Sequence, residues 1–275
     1  MQTLRLMAVL AHPDDECLGV GGTLAKYASE GVEVFLVTAT RGDSGRYRGL
    51  RSGDPQHPGP SALANIREME LRAAASALGL REVSLLDFRD QYLDRANPRE
   101  ATAAIVQHIR RVRPQVVITF GPDGAYGHPD HVAISQFTTA AIVAAADSTF
   151  RCDGIQAGRS HGVSKLYYMA WPETTWKAYQ AAFRELVSTV DGAERHSVPW
   201  PDWAITTVID TRSFWSTVWR AISCHESQIT AYERLQRLSS DDHQALWGYQ
   251  SFYRAFSTVS GGRARETDLL EGIRV

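Results

Sequence analysis

The sequence has few cysteines and no long hydrophobic run. Cys17, Cys152 and Cys224 are an odd number, lie far apart and form no CxxC pair, so they predict no disulfide framework and favour a reducing compartment. The apolar run 140–146 is too short to span a bilayer. The apolar stretch 4–11 is interrupted by Arg5 and followed by charged residues without a cleavage site, so it predicts a buried strand rather than a signal peptide. We expect a cytoplasmic protein that does not enter a membrane.

The sequence also lacks an excess of either charge. Lys and Arg number 29 against 31 Asp and Glu, for a net charge of −2. This balance predicts neither nucleic acid nor an acidic membrane surface as a partner. With 275 residues, of which 44 % are hydrophobic and 22 % charged, the chain is typical of one large globular domain. We expect a single domain over 1–275, and leave its oligomeric state open, a homo-oligomer included.

The first 150 residues alternate between strand and helix patterns. Near-continuous apolar runs predict strands, and helical spacing predicts the segments between them. The strands are expected at 4–11, 32–38, 82–86 and 115–120, and the helices at 18–30, 62–78, 99–112 and 131–146. This order is typical of an α/β fold: a Rossmann-like, doubly wound, mostly parallel sheet with helices on both faces.

The remaining residues, 151–275, are less regular, and we expect them to form a smaller C-terminal lobe that completes the pocket. Strands are predicted at 164–171 and 204–209, a long helix at 213–238, and an extended tail after 257. Two glycine-rich stretches, 41–61 and 147–163, are expected to be long loops. The first follows a sheet strand directly, which is where α/β folds place their ligands.

The strongest motif is AHPDDE at 11–16, where the first strand meets the first helix. Four ionisable groups in five residues are costly in a buried turn unless they bind something. His12 and Asp15, three residues apart, can converge on one ion, and imidazole with carboxylate is ordinary Zn²⁺ chemistry. The alternative is an acidic helix cap without a metal.

A second junction of the same kind follows the strand at 115–120. The segment GPDGAYGHPDH at 121–131 repeats His-Pro-Asp where that strand meets its helix. Two such junctions in one parallel sheet can face a common crevice. Either His128 or His131 could then complete a site begun by His12 and Asp15.

Residues beside the first motif have simpler interpretations. Gly19, Gly21 and Gly22 do not form GxGxxG, so we expect close packing rather than dinucleotide binding. Glu16 is interpreted as a first-turn cap or a partner of a metal ligand, and Cys17 as a small buried hydrophobe.

These motifs resemble those of the LmbE-like (PIG-L type) de-N-acetylases, a family that includes deacetylases of mycothiol, bacillithiol and glycosylphosphatidylinositol synthesis. The resemblance is dense over about the first 140 residues. It rests on AHPDDECLGVGGTLA (11–25), TRGDSG (40–45), Arg67 with Glu70, Asp90, YGHPDH (126–131) and HESQ (225–228).

The resemblance implies one Zn²⁺ per chain, bound by His12, Asp15 and His131, and Fe²⁺ could replace it. Three protein ligands leave a position for water, whose pKa falls toward 7. Asp14 is then the general base. His128 lies beside the metal, held by Asp130, and stabilises the tetrahedral intermediate or protonates the leaving amine. Tyr126 helps to hold the oxyanion.

Substrate contacts are predicted less directly. Arg67 and Asp90 match family positions that hold sugar hydroxyls, and Arg41 and Asp43 are candidates for the substrate rim. Each also has a purely structural interpretation, as a surface charge or a loop cap. His225 and Gln228 either reach the site or anchor it. The late tryptophans are expected to pack in the core rather than stack on sugar; they are Trp171, Trp176, Trp200 and Trp203.

The sequence thus predicts a zinc-dependent hydrolase that removes an N-acetyl group from an amino sugar or glycoside of the N-acetylglucosamine type. The alternatives are an amidase acting on a larger thiol–sugar conjugate, a metal phosphohydrolase, and a non-catalytic sugar-binding relative. A phosphohydrolase normally needs more bridging carboxylates. A sugar-binding protein would not need the base Asp14.

Overall fold

A seven-stranded sheet organises the chain, in the order β3-β2-β1-β4-β5-β9-β8. The computed structural model describes residues 3–152, 159–183, 187–190, 192–259, 262 and 264–274. Five neighbouring strands are parallel: β1 (Arg5–Leu10), β2 (Glu33–Thr40), β3 (Glu82–Phe88), β4 (Val116–Thr119) and β5 (Lys165–Met169). The mostly parallel sheet expected from the apolar runs is confirmed.

Helices cover both faces of this sheet. On one face α2 (Gly21–Ser29) contacts α3 (Pro60–Leu78), and on the other α4 (Pro98–Val112) contacts α6 (Pro129–Ala146). The ends follow from local chemistry. Asn97 caps α4 by accepting from the Arg99 and Glu100 amides at 2.9 and 3.4 Å, and α3 ends at Gly79 with φ 78°, a conformation that favours glycine.

The helix predicted at 18–30 is confirmed as α2, which covers 21–29. A short helix, α1 (Asp15–Leu18), is followed by α2, which starts at Gly21. The nearby glycines are packing residues, as expected: a Cβ on Gly19 would lie 2.7 Å from Met169 Sδ, and one on Gly22 would lie 2.8 Å from Thr211 Cβ. The absence of a side chain at these glycines lets α1 and α2 pack closely against residues of the second half of the chain.

The second half completes the same sheet. β9 (Tyr249–Ser257) pairs antiparallel with β5 and with the edge strand β8 (Thr207–Asp210). Strand β9 was not predicted, since its sequence YQSFYRAFS lacks a continuous apolar run. It is paired on both sides by strands from elsewhere in the chain, and tertiary pairing outweighs its weak local pattern.

The long helix predicted at 213–238 is wrong. The chain forms α8 (Trp215–Ile222) and then 3₁₀ segments at Glu226–Tyr232 and Leu235–Arg237, before α9 (Ser240–Trp247). The break comes at His225, whose φ of −84° and ψ of 61° are not helical. His225 is fully buried, and its contacts, described below, stabilise this non-helical conformation.

Two further elements stand outside the sheet, beside the carboxyl ends of its strands. They are α7 (Glu173–Phe183) and a hairpin of β6 (Val187–Val190) and β7 (Ala193–His196). α5 (Gly124–Gly127) is a single kinked turn between β4 and α6. Part of the predicted loop at 147–163, residues 153–158, lies outside the described residues. The boundary at residue 150 stays a prediction.

Among the described residues, no helix combines the length and apolar composition needed to cross a bilayer. The tail described at 264–274 is held to the sheet through Glu266. This residue forms a bridge with Thr207, and its carboxylate accepts hydrogen bonds from Lys165 Nζ and Tyr167 Oη, each at 2.7 Å. The tail after 257 was predicted to be extended; instead, residues 269–273 form turns and bury Leu269 and Leu270.

Candidate active site

The candidate site lies where β1 and β4 are neighbours, which is the point where the strand order reverses. Loops leaving these two strands diverge to opposite faces of a parallel sheet and leave a crevice between them. The crevice is a cavity of about 310 Å³. It brings together both His-Pro-Asp junctions. Lining residues from these junctions are His12, Asp14, Asp15, Tyr126, His128 and His131.

Three of these side chains converge on one point. His12 Nδ1 lies 3.2 Å from His131 Nε2 and 3.7 Å from Asp15 Oδ2, and His131 Nε2 lies 3.4 Å from Asp15 Oδ1. Two atoms bound at about 2.1 Å to a tetrahedral ion are separated by about 3.4 Å. The spacing of the three side chains therefore fits a divalent ion.

The tautomers of the two histidines support the same conclusion. His12 Nε2 faces the carboxylates of Asp130 at 3.1 Å and Asp90 at 3.3 Å, and His131 Nδ1 faces the Gly124 carbonyl at 3.2 Å. Because these partners are acceptors, each of those nitrogens carries a proton. The other two nitrogens lie 3.2 Å apart, and when both rings are neutral they direct lone pairs toward the same point, which is the arrangement that a metal ion needs.

The protonation of the three side chains follows from burial and from the charges around them. Burial opposes a charge on His12, but the Asp130, Asp90 and Asp15 carboxylates raise its pKa well above the ordinary value overall. Burial raises the pKa of Asp15 to about 7. Burial, followed by repulsion from His12 and His128, lowers the pKa of His131 well below its ordinary value and keeps its ring neutral. A neutral imidazole is the form that binds metal. One nitrogen of His128 also comes within 4.8 Å of the His12 and His131 nitrogens, so the site offers a further donor.

Asp14 is held in an unusual conformation at the edge of the cavity. Its φ of 105° lies in a region that non-glycine residues rarely adopt. Arg67, which is 5 % exposed, donates to Asp14 Oδ2 at 3.1 Å and to the Gly42 carbonyl at 3.0 Å, and also contacts the Pro13 carbonyl. The Asp14 carboxylate is thus fixed at the cavity while Asp15 turns toward the two histidines.

Asp130 contacts both His12 and His128, but through different groups. Its fully buried carboxylate contacts His12 Nε2 and accepts from the Gln91 amide at 2.8 Å and the Leu93 amide at 3.1 Å. Only its backbone amide meets His128, donating to Nδ1 at 3.2 Å. The carboxylate therefore orients the His12 ring, because it is held by the Gln91 and Leu93 amides and contacts His12 Nε2.

His128 and Tyr126 line the cavity beside His131, with ring centroids 4.7 and 5.3 Å from its ring. Burial, followed by repulsion from His12, lowers the pKa of His128 to about 4, so the ring is neutral at pH 7. Its Nδ1 accepts the Asp130 amide, which leaves the proton on Nε2. Burial raises the pKa of Tyr126 above its ordinary value, so it keeps its hydroxyl proton. Both side chains can therefore donate a hydrogen bond into the cavity.

The four predicted substrate residues separate into two pairs. Arg67 and Asp90 line the cavity, although Asp90 also accepts the Ser44 amide at 2.9 Å. Of the described residues, those lining the cavity do not include Arg41 or Asp43. Arg41 instead forms ion pairs with Asp87 and Glu68. Substrate contact by all four stays a prediction.

Several lining residues were not singled out from the sequence. Phe120, the residue after β4, stacks on the His131 ring at 3.9 Å; its place at the end of a central strand was the available signal. Trp171 packs against the core, as predicted, and it also lines the cavity and stacks on Tyr179 at 4.4 Å. Trp203 is 84 % exposed, so its predicted core position is wrong. Gln228 reaches the cavity and donates to the Arg46 carbonyl at 2.7 Å.

Comparison with known proteins gives the site a context. The profile of a family described as PIG-L, GlcNAc-PI de-N-acetylase, matches residues 7–142. A 1D-myo-inositol 2-acetamido-2-deoxy-alpha-D-glucopyranoside deacetylase from Kineococcus radiotolerans is 36 % identical, covering 99 % of this chain and 84 % of its own. The enzyme of the same name from Rhodococcus jostii is 35 % identical, covering 99 % of both chains.

Solved structures share the fold at lower identity. N,N'-diacetylchitobiose deacetylase from Pyrococcus horikoshii has a TM-score of 0.66 and 20 % identity, over 91 % of this chain and 83 % of its own. The 4-carboxy-2-hydroxymuconate hydratase GalB from Pseudomonas putida has a TM-score of 0.65 and 21 % identity, over 94 % and 99 %. Since a hydratase and a deacetylase both have this fold, the fold alone does not decide the reaction.

Proposed function

The chain belongs to the PIG-L family of de-N-acetylases, and from this membership we propose that its cavity hydrolyses the acetamide of a small N-acetylglucosaminide with a polyol aglycone. The family relationship identifies it as a hydrolase of the deacetylase type, acting on N-acetylglucosamine-type substrates. The observation that carries the proposal is the convergence of His12 Nδ1, His131 Nε2 and Asp15 beside the cavity-facing Asp14.

We propose Zn²⁺ as the resident ion, held by His12, Asp15 and His131. The donor set of two imidazoles and a carboxylate suits Zn²⁺, and Fe²⁺ is the alternative for the same donors. When bound, such an ion polarises the amide carbonyl and lowers the pKa of a water molecule. Asp130 and Asp90 orient His12, and the Gly124 carbonyl orients His131, so that both lone pairs face the same point.

Asp14 is proposed as the general base that removes a proton from the attacking water. Asp14 lines the cavity, and Arg67 donates to its carboxylate at 3.1 Å, which holds the carboxylate there. His128 Nε2 and Tyr126 Oη, both carrying protons, are placed to donate to the developing oxyanion or to the departing amine nitrogen. The reaction releases acetate and leaves a free amine on the sugar.

Recognition of the sugar is proposed to involve Arg67 and Asp90 on the polar side of the cavity and Arg41 and Asp43 near its rim. The inositol glycosides named for the relatives make inositol the first aglycone to test. We propose that the protein acts in the reducing cytoplasm, which its few, widely spaced cysteines favour.

Acetate release from a set of N-acetyl compounds tests the proposed function. The purified metal-loaded protein is incubated with an N-acetylglucosaminyl inositol, with free N-acetylglucosamine, and with a larger thiol–sugar conjugate. We expect kcat/KM to be highest for the inositol glycoside. Faster hydrolysis of the conjugate would favour the amidase alternative. Binding without acetate release from any of the three would support a non-catalytic sugar-binding protein and contradict the proposal.

A further inference from the structure

A buried cluster behind the cavity is not used by the proposed chemistry. It consists of Glu16, Cys17 and His225, and each of the three is fully buried. Glu16 Oε1 accepts from His225 Nε2 at 2.8 Å and from Cys17 Sγ at 2.9 Å. Glu16 and His225 are 209 positions apart in the chain. Among the described residues, none of the three lines the cavity, so a direct role in binding substrate does not explain the cluster.

The cluster is connected to the backbone of Asp14. The second oxygen of Glu16, Oε2, accepts the Asp14 amide at 2.9 Å. Asp14 has its rarely adopted φ of 105°, so its conformation depends on contacts made by the surrounding residues. Since Oε2 binds the amide while Oε1 binds His225, the imidazole fixes the carboxylate that in turn fixes the backbone of Asp14.

A second contact joins the same segment to the side chain of Asp14. Ser227, two residues after His225, donates to Glu70 through its amide and its hydroxyl, both at 2.6 Å. Glu70 lies on α3 one turn after Arg67, which holds the Asp14 carboxylate. The segment 225–227 is therefore connected to the backbone of Asp14 through Glu16 and to its carboxylate through α3.

Metal binding by the cluster itself is the main alternative. One donor atom each from Glu16, Cys17 and His225 lie within 4.8 Å of one another. However, both oxygens of Glu16 already accept hydrogen bonds. Cys17 Sγ donates its proton to Glu16 Oε1 at 2.9 Å, whereas a metal ligand must be a thiolate. The contacts favour a hydrogen-bonded support over a second ion.

We propose that His225 and Glu16 are positioning residues: His225 holds the Glu16 carboxylate against the Asp14 amide, and so keeps the Asp14 side chain in its productive orientation. This inference rests on the proposed role of Asp14 as the base. A base displaced by about 1 Å can cost roughly a hundredfold in rate, so loss of the contact is expected to lower kcat while substrate binding persists.

Replacing His225 tests the role. His225→Leu removes the N–H that meets Glu16, and His225→Gln keeps an N–H at about the position of Nε2. We expect His225→Leu to lower kcat by about 10–100-fold, with KM within about twofold of the wild type and one metal per chain by elemental analysis. His225→Gln should recover most of kcat, which a purely steric role would not produce.

His243→Leu is the matched control. His243 is also buried, at 5 % exposure, but its ring packs between Trp215, Trp219 and Trp247 at 5.1–5.4 Å. This substitution is expected to lower Tm without changing kcat. If His225→Leu does not fold, His225→Asn replaces it, because asparagine is polar but too short to reach Glu16, and the comparison with His225→Gln remains.

Hydrogen exchange of the Asp14 amide supplies a measurement that does not depend on activity. In the wild type this N–H is expected to exchange slowly, since it is donated to a buried carboxylate; exchange should be faster in His225→Leu or His225→Asn and unchanged in His243→Leu. If the wild type hydrolyses none of the N-acetyl compounds, the proposed function fails. The exchange rate of the Asp14 amide still shows whether His225 stabilises its hydrogen bond to Glu16. Unchanged kcat and exchange in the His225 variants, or a second metal ion per chain, would overturn the inference.

Discussion

Replacing Asp130 with asparagine tests how His12 is prepared for metal binding. The Asp130 carboxylate serves three donors: Oδ2 contacts His12 Nε2 at 3.1 Å and the Gln91 amide at 2.8 Å, and Oδ1 accepts the Leu93 amide at 3.1 Å. Asparagine has the same shape but one acceptor oxygen. Asp130→Asn must therefore either leave the Leu93 amide facing an NH₂ group or turn that group toward His12.

The magnitude follows from these contacts. An unsatisfied buried donor costs about 1–3 kcal/mol, so the free energy of unfolding should fall by about that amount. Loss of the partner behind a metal-binding histidine typically costs about 10–100-fold in metal affinity. His12 Nε2 also keeps Asp90 Oδ1 at 3.3 Å, so we expect the lower end, about tenfold. The Asp90→Asn, Asp130→Asn double variant should approach about a hundredfold.

Competition with a zinc-binding dye gives the dissociation constant of the protein for zinc. Thermal unfolding with and without chelator gives the stability of the fold. Asp94→Asn is the control. Asp94 is an exposed carboxylate in the 3₁₀ turn Leu93–Arg95, which also contains the Leu93 amide that Asp130 accepts. It should leave both quantities unchanged. A zinc affinity in Asp130→Asn equal to that of the wild type would refute the reasoning, since His12 would then need no carboxylate behind it.

Three further outcomes are expected. Asp14→Asn should lower kcat by about 10²–10⁴-fold with the metal content intact; a variant that loses its metal would contradict the assignment of Asp14 as base. Asp90→Ala should lower kcat/KM on the inositol glycoside more than on a minimal N-acetyl compound, and an equal loss on both would indicate a structural role. Burial opposes the charge of Glu266, but bonds from Lys165, Tyr167 and Thr207 lower its pKa overall, so its stabilisation is present above about pH 4.5 and lost as pH falls further. Glu266→Gln should lower the free energy of unfolding at pH 7 by about 3–5 kcal/mol, with a smaller difference in acid, whereas a pH-independent difference in denaturant titrations would contradict this.

Much of the site was predictable because its donors are local in sequence. His12 and Asp15 share one turn, His128 and His131 share another, and both turns follow strands that are apolar enough to be recognised as buried. The carboxyl ends of parallel strands meet at one edge of a sheet, so two such turns predicted a common crevice. Which residues bind the metal was suggested by the resemblance, and the choice between His128 and His131 was not available from spacing.

The sequence by itself determined the alternation of strands and helices in the first 150 residues and the placement of both motifs at strand ends, because these depend on short-range periodicity. Only the tertiary structure decided the contacts between distant residues: Asp130 with His12, 118 positions apart, and His225 with Glu16, 209 apart. It also decided that β9 lies between β5 and β8, and that residues 213–238 are not one helix. The physical reason is that such pairings are stabilised by burial and by hydrogen bonds that form only when the chain has folded. A local sequence pattern does not indicate which distant residue will be the partner.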